Sequence, residues 1–204
     1  MITRHTAIKN LQRYIGKDLA RYARQFGITI YKNEKLNKGW KGQTLEKLAG
    51  LEGDNKQAPN GLGFELKSVS YKELKNGNIV PKETMAITMI SPMMLKKTPF
   101  LKSHCWDKLK TIVFCAVMWY EEDKTKAELL SVKSFDMLDD EKLIREIEQD
   151  YEFIRNKLIS QGFDSLTGVD GKWIQARTKG QKNTETRAFY ARTNLIKEIF
   201  GKSF

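Results

Sequence analysis

A mixed sheet flanked by helices, α/β or α+β in class, is what the sequence predicts, and three observations predict it. Amphipathic stretches with apolar residues at helical spacing alternate along the chain with short runs of strand character. The longest apolar run, Thr111 to Tyr120, falls well short of the roughly 18 residues of a membrane span and reads as a buried strand. No repeat and no Pro- or Ser-rich linker divides the 204 residues, of which 40% are hydrophobic, so one domain with a substantial core, or one with a small lobe attached, is expected.

Taken in order, residues 6–25 place Ile8, Leu11, Tyr14, Ile15, Leu19, Tyr22 and Ala23 at helical spacing, with Gly27 as the stop. Ile28–Tyr31 reads as extended, and Lys32–Lys38 as a polar turn. Trp40–Leu51 is a second helix with Leu45, Leu48 and Leu51 on one side, bracketed by Gly50 and Gly53. A polar loop, 52–60, leads into a strand ending Phe64-Glu65-Leu66-Lys67, and Asn76-Gly77-Asn78 marks a hairpin turn. Glu83–Ile90 reads as the returning strand, followed by a connector with Pro92 and Pro99, a mixed-charge helix within Ser103–Lys110, and the Thr111 strand. Ala127–Val132 is another strand. Asp139–Gln161 is an amphipathic helix burying Leu143, Ile147, Tyr151, Ile154 and Leu158. Lys172–Thr178 is a strand, Lys179–Thr186 a polar loop, and Thr193–Phe200 a closing helix.

Thirty-six Lys and Arg against twenty-five Asp and Glu give a net charge of +11. Such a balance favours a polyanionic partner, and counterion release makes nucleic acid the usual one. The acidic residues concentrate in 136–152, read as a solvent-facing helix, while the C-terminal part from Lys172 onward is basic. Cys105 and Cys115 match no metal-ligand spacing and no disulfide framework, and the N-terminus lacks the order of a signal peptide. A soluble, cytoplasmic protein with no membrane partner is expected.

The stretch Pro59-Asn60-Gly-Leu-Gly-Phe-Glu65-Leu66-Lys67 carries the chemistry. Strand side chains alternate between faces, so Glu65 and Lys67 share one, while Phe64, Leu66 and Val69 are expected on the other. A carboxylate beside an ammonium can hold a divalent metal and steady an attacking water, the parts that metal-assisted phosphodiester cleavage requires. The same pair also serves as an ordinary ion pair on a sheet. His104 is read as a capping or core residue, not a general base.

Four blocks lift the nuclease reading: Lys38-Gly-Trp-Lys-Gly-Gln-Thr-Leu-Glu46, Gly63-Phe-Glu-Leu-Lys67, Ser103-His-Cys-Trp-Asp-Lys108-Leu-Lys, and Trp173-Ile-Gln-Ala-Arg177-Thr-Lys179 with Arg187-Ala-Phe-Tyr190. In this order they resemble the KGWxGxxLE, GVELK and SHxxxKLK segments and the C-terminal part of the MutH family, within the PD-(D/E)xK nuclease superfamily. The resemblance runs from about Leu36 to the C-terminus and implies a restriction-endonuclease-like fold. One nuclease domain over 1–204 is expected, with an N-terminal helical segment (1–35) that resembles nothing in the family, a catalytic core (36–135) and a DNA-reading part (165–204). Asn60, Glu65 and the backbone carbonyl of Leu66 are then the Mg²⁺ ligands, and Lys67 orients or deprotonates the water. Glu46 faces the same metal site, and Lys108 steadies charge on the phosphate.

Asn60 departs from the family pattern, which has Asp. Three explanations compete: an inactivating Asp→Asn substitution that lets uncut DNA be held, replacement of the missing carboxylate by Asp54 on the same loop, or a natural binder that does not cut. The first is the reading adopted. For base reading, the resemblance nominates Lys38, Glu83, Arg177, Lys179 and Tyr190, the tyrosine near a target adenine whose N6-methylation it senses. Arg or Lys pairs with guanine and a carboxylate accepts from cytosine, so these residue types fit a GATC-type site. Phe189-Tyr190 reads equally as core packing. Lys172, Lys182, Arg187 and Arg192 read as phosphate contacts.

The expected function is a Mg²⁺-dependent type II restriction endonuclease acting on double-stranded DNA at GATC or a related site, as a homodimer, in an inactivated Asn60 form. The alternatives are a MutH-like mismatch-repair nicking endonuclease that needs a MutL-like activator, and a non-catalytic DNA-binding module.

Overall fold

The computed structural model describes residues 2–51, 61–180 and 186–200. Its helices are α1 (Arg4–Gln12), α2 (Leu19–Gln25), α3 (Trp40–Ala49), α4 (Pro92–Lys97), α5 (His104–Leu109), α6 (Glu141–Gln161) and α7 (Thr193–Phe200). Its strands are β1 (Tyr31–Lys32), β2 (Lys35–Leu36), β3 (Glu65–Glu73), β4 (Ile79–Pro81), β5 (Met85–Met89), β6 (Thr111–Trp119), β7 (Ala127–Asp136), β8 (Ile174–Thr178) and β9 (Arg187–Ala191). The mixed α/β class is as the sequence predicts. The chain forms two compact units, Met1–Glu83 with Ile112–Phe135 and Thr84–Thr111 with Asp136–Lys202.

In the first unit, strands run in the order β4-β3-β6-β7, with β3 antiparallel to β4 and parallel to β6. The Asn76-Gly77-Asn78 hairpin is present, but its returning strand is β4; β5, expected in that role, joins the other sheet. Thr111–Met118 of β6 is buried throughout, as a parallel strand covered on both faces must be. One face of the sheet places Leu66, Val113, Cys115, Val117 and Leu129 in a core with Leu11, Leu19, Trp40, Leu45 and Leu48 of the helices. Val69 does not join Phe64 and Leu66 there. Its odd position puts it on the Glu65–Lys67 face, paired in register with Ala116, and still buried.

The expected single helix over 6–25 is two, α1 and α2, because the intervening turn hydrogen-bonds to β7. Gly16, at φ +75°, donates its N–H to the Leu129 carbonyl at 2.8 Å. Asp18 then caps α2, accepting from Ala20 N–H and from Ala127 N–H, each at 3.1 Å. The polar turn after Tyr31 contains a small β1–β2 hairpin, whose tip residues Asn33 and Glu34 both have positive φ (49° and 61°). A primed turn requires that conformation, and without glycine it leaves little sequence signal.

The second unit holds an antiparallel sheet in the order β5-β9-β8, with the short strand β9 central. That strand lies just beyond the predicted polar loop and was not expected. Helix α4 was likewise expected as connector, yet Ser91 accepts from Met94 N–H at 3.4 Å and Pro92 occupies the first turn, both helix-start features. Phe100, Trp106, Tyr151 and Phe189 form a chain of ring contacts at 5.3–5.4 Å through this unit's core.

Candidate active site

Strand β3 is preceded by a tight turn. Gly61 N–H donates to the Phe64 carbonyl at 3.1 Å, and a Cβ on Gly61 would lie 2.1 Å from the Phe64 ring, so only glycine fits. Glu65 follows, 2% exposed, with Lys67 Nζ 2.8 Å from its Oε1 and the lysine 17% exposed. The shared face predicted from strand alternation is observed. Leu66, between them, sends its side chain into the helix-covered core. Helix α3 packs against β3 and carries a half-buried Glu46.

Lys108 is half-buried on α5 of the second unit. His104 is neither cap nor core: it is exposed, and Ser103 caps α5 by accepting from Trp106 N–H at 3.1 Å. Asn60 and Asp54 lie outside the described residues. Among the described residues, no three acidic, histidine or cysteine side chains gather as a metal site. The donors the sequence nominates on β3, a carboxylate and a backbone carbonyl, are hard oxygens of the kind that suits a divalent cation keeping several waters.

In the second unit, β8 and β9 bring Arg177 and Tyr190 together. Gln175 pairs with Tyr190 in register, so Arg177, two residues on, is its diagonal neighbour on the same face. The guanidinium lies 5.2 Å from the Tyr190 ring centre and 3.5 Å from Thr84 Oγ1, and Arg177 remains exposed. Beyond Arg177, Lys179 N–H donates to the Thr186 carbonyl at 2.9 Å, and the Thr186 hydroxyl donates to the Lys179 carbonyl. Lys38 and Glu83, both in the first unit, are exposed. Lys182 lies outside the described residues.

Arg187 and Arg192 are occupied inside the fold. Arg187 is 8% exposed, donates to the Leu166 carbonyl at 3.1 Å and stacks 4.8 Å over Phe163. Arg192 donates to the carbonyls of Gly168 and Asp170 at 2.9 and 3.2 Å. Arg187 is thus buried and multiply bonded, and Arg192 is half-buried with one Nη committed to two carbonyls, so neither is carried forward as a DNA contact. Lys172 is exposed but bonds Glu146 at 2.6 Å.

The acidic helix is not purely solvent-facing either. Asp150, 8% exposed, accepts from the backbone N–H groups of Lys172 (2.8 Å), Trp173 (2.5 Å) and Ile174 (2.9 Å). Glu146, one turn earlier, accepts from Trp173 Nε1 at 2.6 Å, and hydrogen bonds from Lys172 and Trp173 lower its pKa. Together they fix the corner from which β8 leaves. The sequence signal was present: Asp150 lies three residues after Ile147 and beside Tyr151, within the buried stripe, where an unpaired carboxylate would not survive.

A family model described as DNA mismatch repair enzyme MutH matches residues 50–156, just over half of the chain. The chain belongs to the MutH family. It is 26% identical to the DNA mismatch repair protein MutH of Shewanella sp. (strain W3-18-1) over 206 residues, 93% of this chain and 90% of that protein. The Vibrio campbellii and Vibrio parahaemolyticus MutH proteins are 24% and 25% identical, covering 97% and 93% of this chain and 92% and 89% of theirs. MutH membership accords with the PD-(D/E)xK fold expected from the four blocks, and MutH-type nucleases generally use divalent metal ions. Of the two nuclease readings, mismatch repair fits these matches better than the type II restriction enzyme expected first.

Proposed function

We propose that this protein is a MutH-like mismatch-repair endonuclease that nicks duplex DNA at GATC or a closely related site with Mg²⁺, and that Asn60 weakens its chemical step. The observation that carries the reading is the 2.8 Å Glu65–Lys67 pair on one face of β3, in a chain of the MutH family. Glu65, the Leu66 carbonyl and residue 60 would hold the metal, which supplies charge for the developing phosphate transition state. Lys67 holds and orients the attacking water, its ammonium kept close by the Glu65 carboxylate. Glu46 adds negative charge to the metal's surroundings, and Lys108 steadies charge on the phosphate. An amide at position 60 keeps the shape of aspartate but lacks its charge, so metal affinity falls while DNA binding persists.

Arg177 on β8, Lys179 just after it and Tyr190 on β9 read base edges, and Lys38 and Glu83 are the further base-reading residues. The diagonal Arg177–Tyr190 contact supports this, because a stacked guanidinium loses less freedom on meeting guanine.

Incubating the Asn60→Asp variant with supercoiled GATC plasmid and Mg²⁺, with and without a MutL-type activator, tests the reading. Activator-dependent nicked circles are expected. Linear product formed without any activator would restore the restriction-enzyme reading. Site-selective binding with no cleavage, even with Mn²⁺, would leave the non-catalytic module that Asn60 also permits.

A further inference from the structure

Four lysines of this protein sit beside carboxylates: Lys67 beside Glu65, Lys110 beside Asp107, Lys157 beside both oxygens of Asp170, Lys172 beside Glu146. Lys41 differs. It lies in the first turn of α3, at the variable position of the KGWxGxxLE block, and is half-buried. Among the described residues its ammonium has one hydrogen-bond partner, the neutral hydroxyl of Ser70 on β3, at 3.3 Å. The Trp40 ring centre is 6.0 Å away, at the outer limit of a cation–π contact. An ammonium has three donors, so two are unmatched among the described residues.

Burial pulls the Lys41 ammonium below its ordinary pKa; Glu83 opposes that shift and Lys82 adds to it. The charged groups acting on it are thus one carboxylate, Glu83, and a second ammonium, Lys82. Lys82 is exposed and rests 4.3 Å over the Trp119 ring, which fixes where its charge sits. Lys82 N–H donates to the carbonyl of Ser70, the residue whose hydroxyl Lys41 bonds, at 2.8 Å, so both lysines are anchored at Ser70 and give a positive spot that a polyanion neutralises.

We propose that Lys41, with Lys82, is a phosphate-binding contact for duplex DNA beside the base-reading Glu83. This deepens the DNA-nuclease reading and rests on it. The contact grips backbone oxygen and carries no sequence information, so it acts alike on specific and non-specific duplexes.

The experiment compares the full-length protein with its Lys41→Met and Lys41→Arg variants. Binding to a short duplex with a central GATC, and to one without, is measured across a salt series, together with the melting temperature. Losing one phosphate contact lowers the log–log salt slope by about 0.9, so Lys41→Met binds both duplexes about eightfold more weakly near 0.1 M salt. Its melting temperature is unchanged or higher, because a partly desolvated ammonium has been removed. Lys41→Arg keeps most of the affinity. A Lys41→Met variant that melts lower yet binds with an unaltered slope would make Lys41 a structural lysine and overturn the proposal alone. Absence of duplex binding by the unsubstituted protein would overturn it together with the nuclease reading.

Discussion

Two buried carboxylates, one in each unit, are held in opposite ways. Glu65 lies against a lysine ammonium whose own side chain keeps contact with solvent, whereas Asp150 accepts three backbone N–H groups that cannot move without undoing the start of β8. A flexible cation can shift when a metal, water or phosphate arrives, but a backbone nest cannot. Burial alone therefore does not separate chemistry from architecture; the kind of donor does. The same contrast divides the lysines, since Lys157 is locked to Asp170 while Lys41, among the described residues, bonds a hydroxyl alone.

The sharpest break of this contrast is Lys67→Ala in the Asn60→Asp background. Losing the water-orienting ammonium should cut cleavage by at least about a hundredfold with DNA binding retained, read as single-turnover rate and affinity. A variant that cuts normally would make the Glu65–Lys67 pair as structural as the Asp150 nest. Next in size is Asp150→Asn, in which an amide turns one acceptor into a donor facing N–H groups. Chemical denaturation should show a loss of about 2–4 kcal/mol, with little change if the carboxylate is dispensable.

Arg177→Ala should then cost about 1–3 kcal/mol of discrimination between a GATC duplex and a single-base variant, leaving overall stability nearly intact. Equal loss on both duplexes would turn Arg177 into a phosphate contact. The smallest effect is on acid stability. Burial would raise Asp170, but hydrogen bonds from Lys157 and Thr167 outweigh it and hold the group below its ordinary range. A lowered carboxylate contributes stability that is complete above its unfolded pKa, about 4, and lost as pH falls through the folded value. Asp170→Asn should flatten the fall in melting temperature below about pH 4; an unchanged acid profile would remove Asp170 from the stabilising set.

Much of strand β3 was legible because alternation is a rigid rule: Glu65 and Lys67 had to share a face, and they do. Applied strictly, that rule also places Val69 with them, against the expectation drawn from its apolar character. Helices α3 and α6 were legible from the spacing of Leu45 and Leu48 and of Ile147, Tyr151 and Ile154. The α1–α2 break was not, because Gly16 and Asp18 meet β7 residues more than a hundred positions away. Strand β9 was missed because five residues, Arg187–Ala191, carry too little period to separate strand from loop. Arg187 and Arg192 were read as phosphate ligands from charge alone, and charge says nothing of the carbonyls that claim them.

The most direct measurement is the rate at which GATC plasmid is cut in Mg²⁺ by the original chain, by Asn60→Asp, and by Asn60→Asp combined with Glu65→Gln. Restoring the carboxylate should raise the rate by at least about a hundredfold, and the Gln substitution should abolish the gain. An Asn60→Asp protein as inert as the original, or a double variant that still cuts, would contradict a metal held at Glu65.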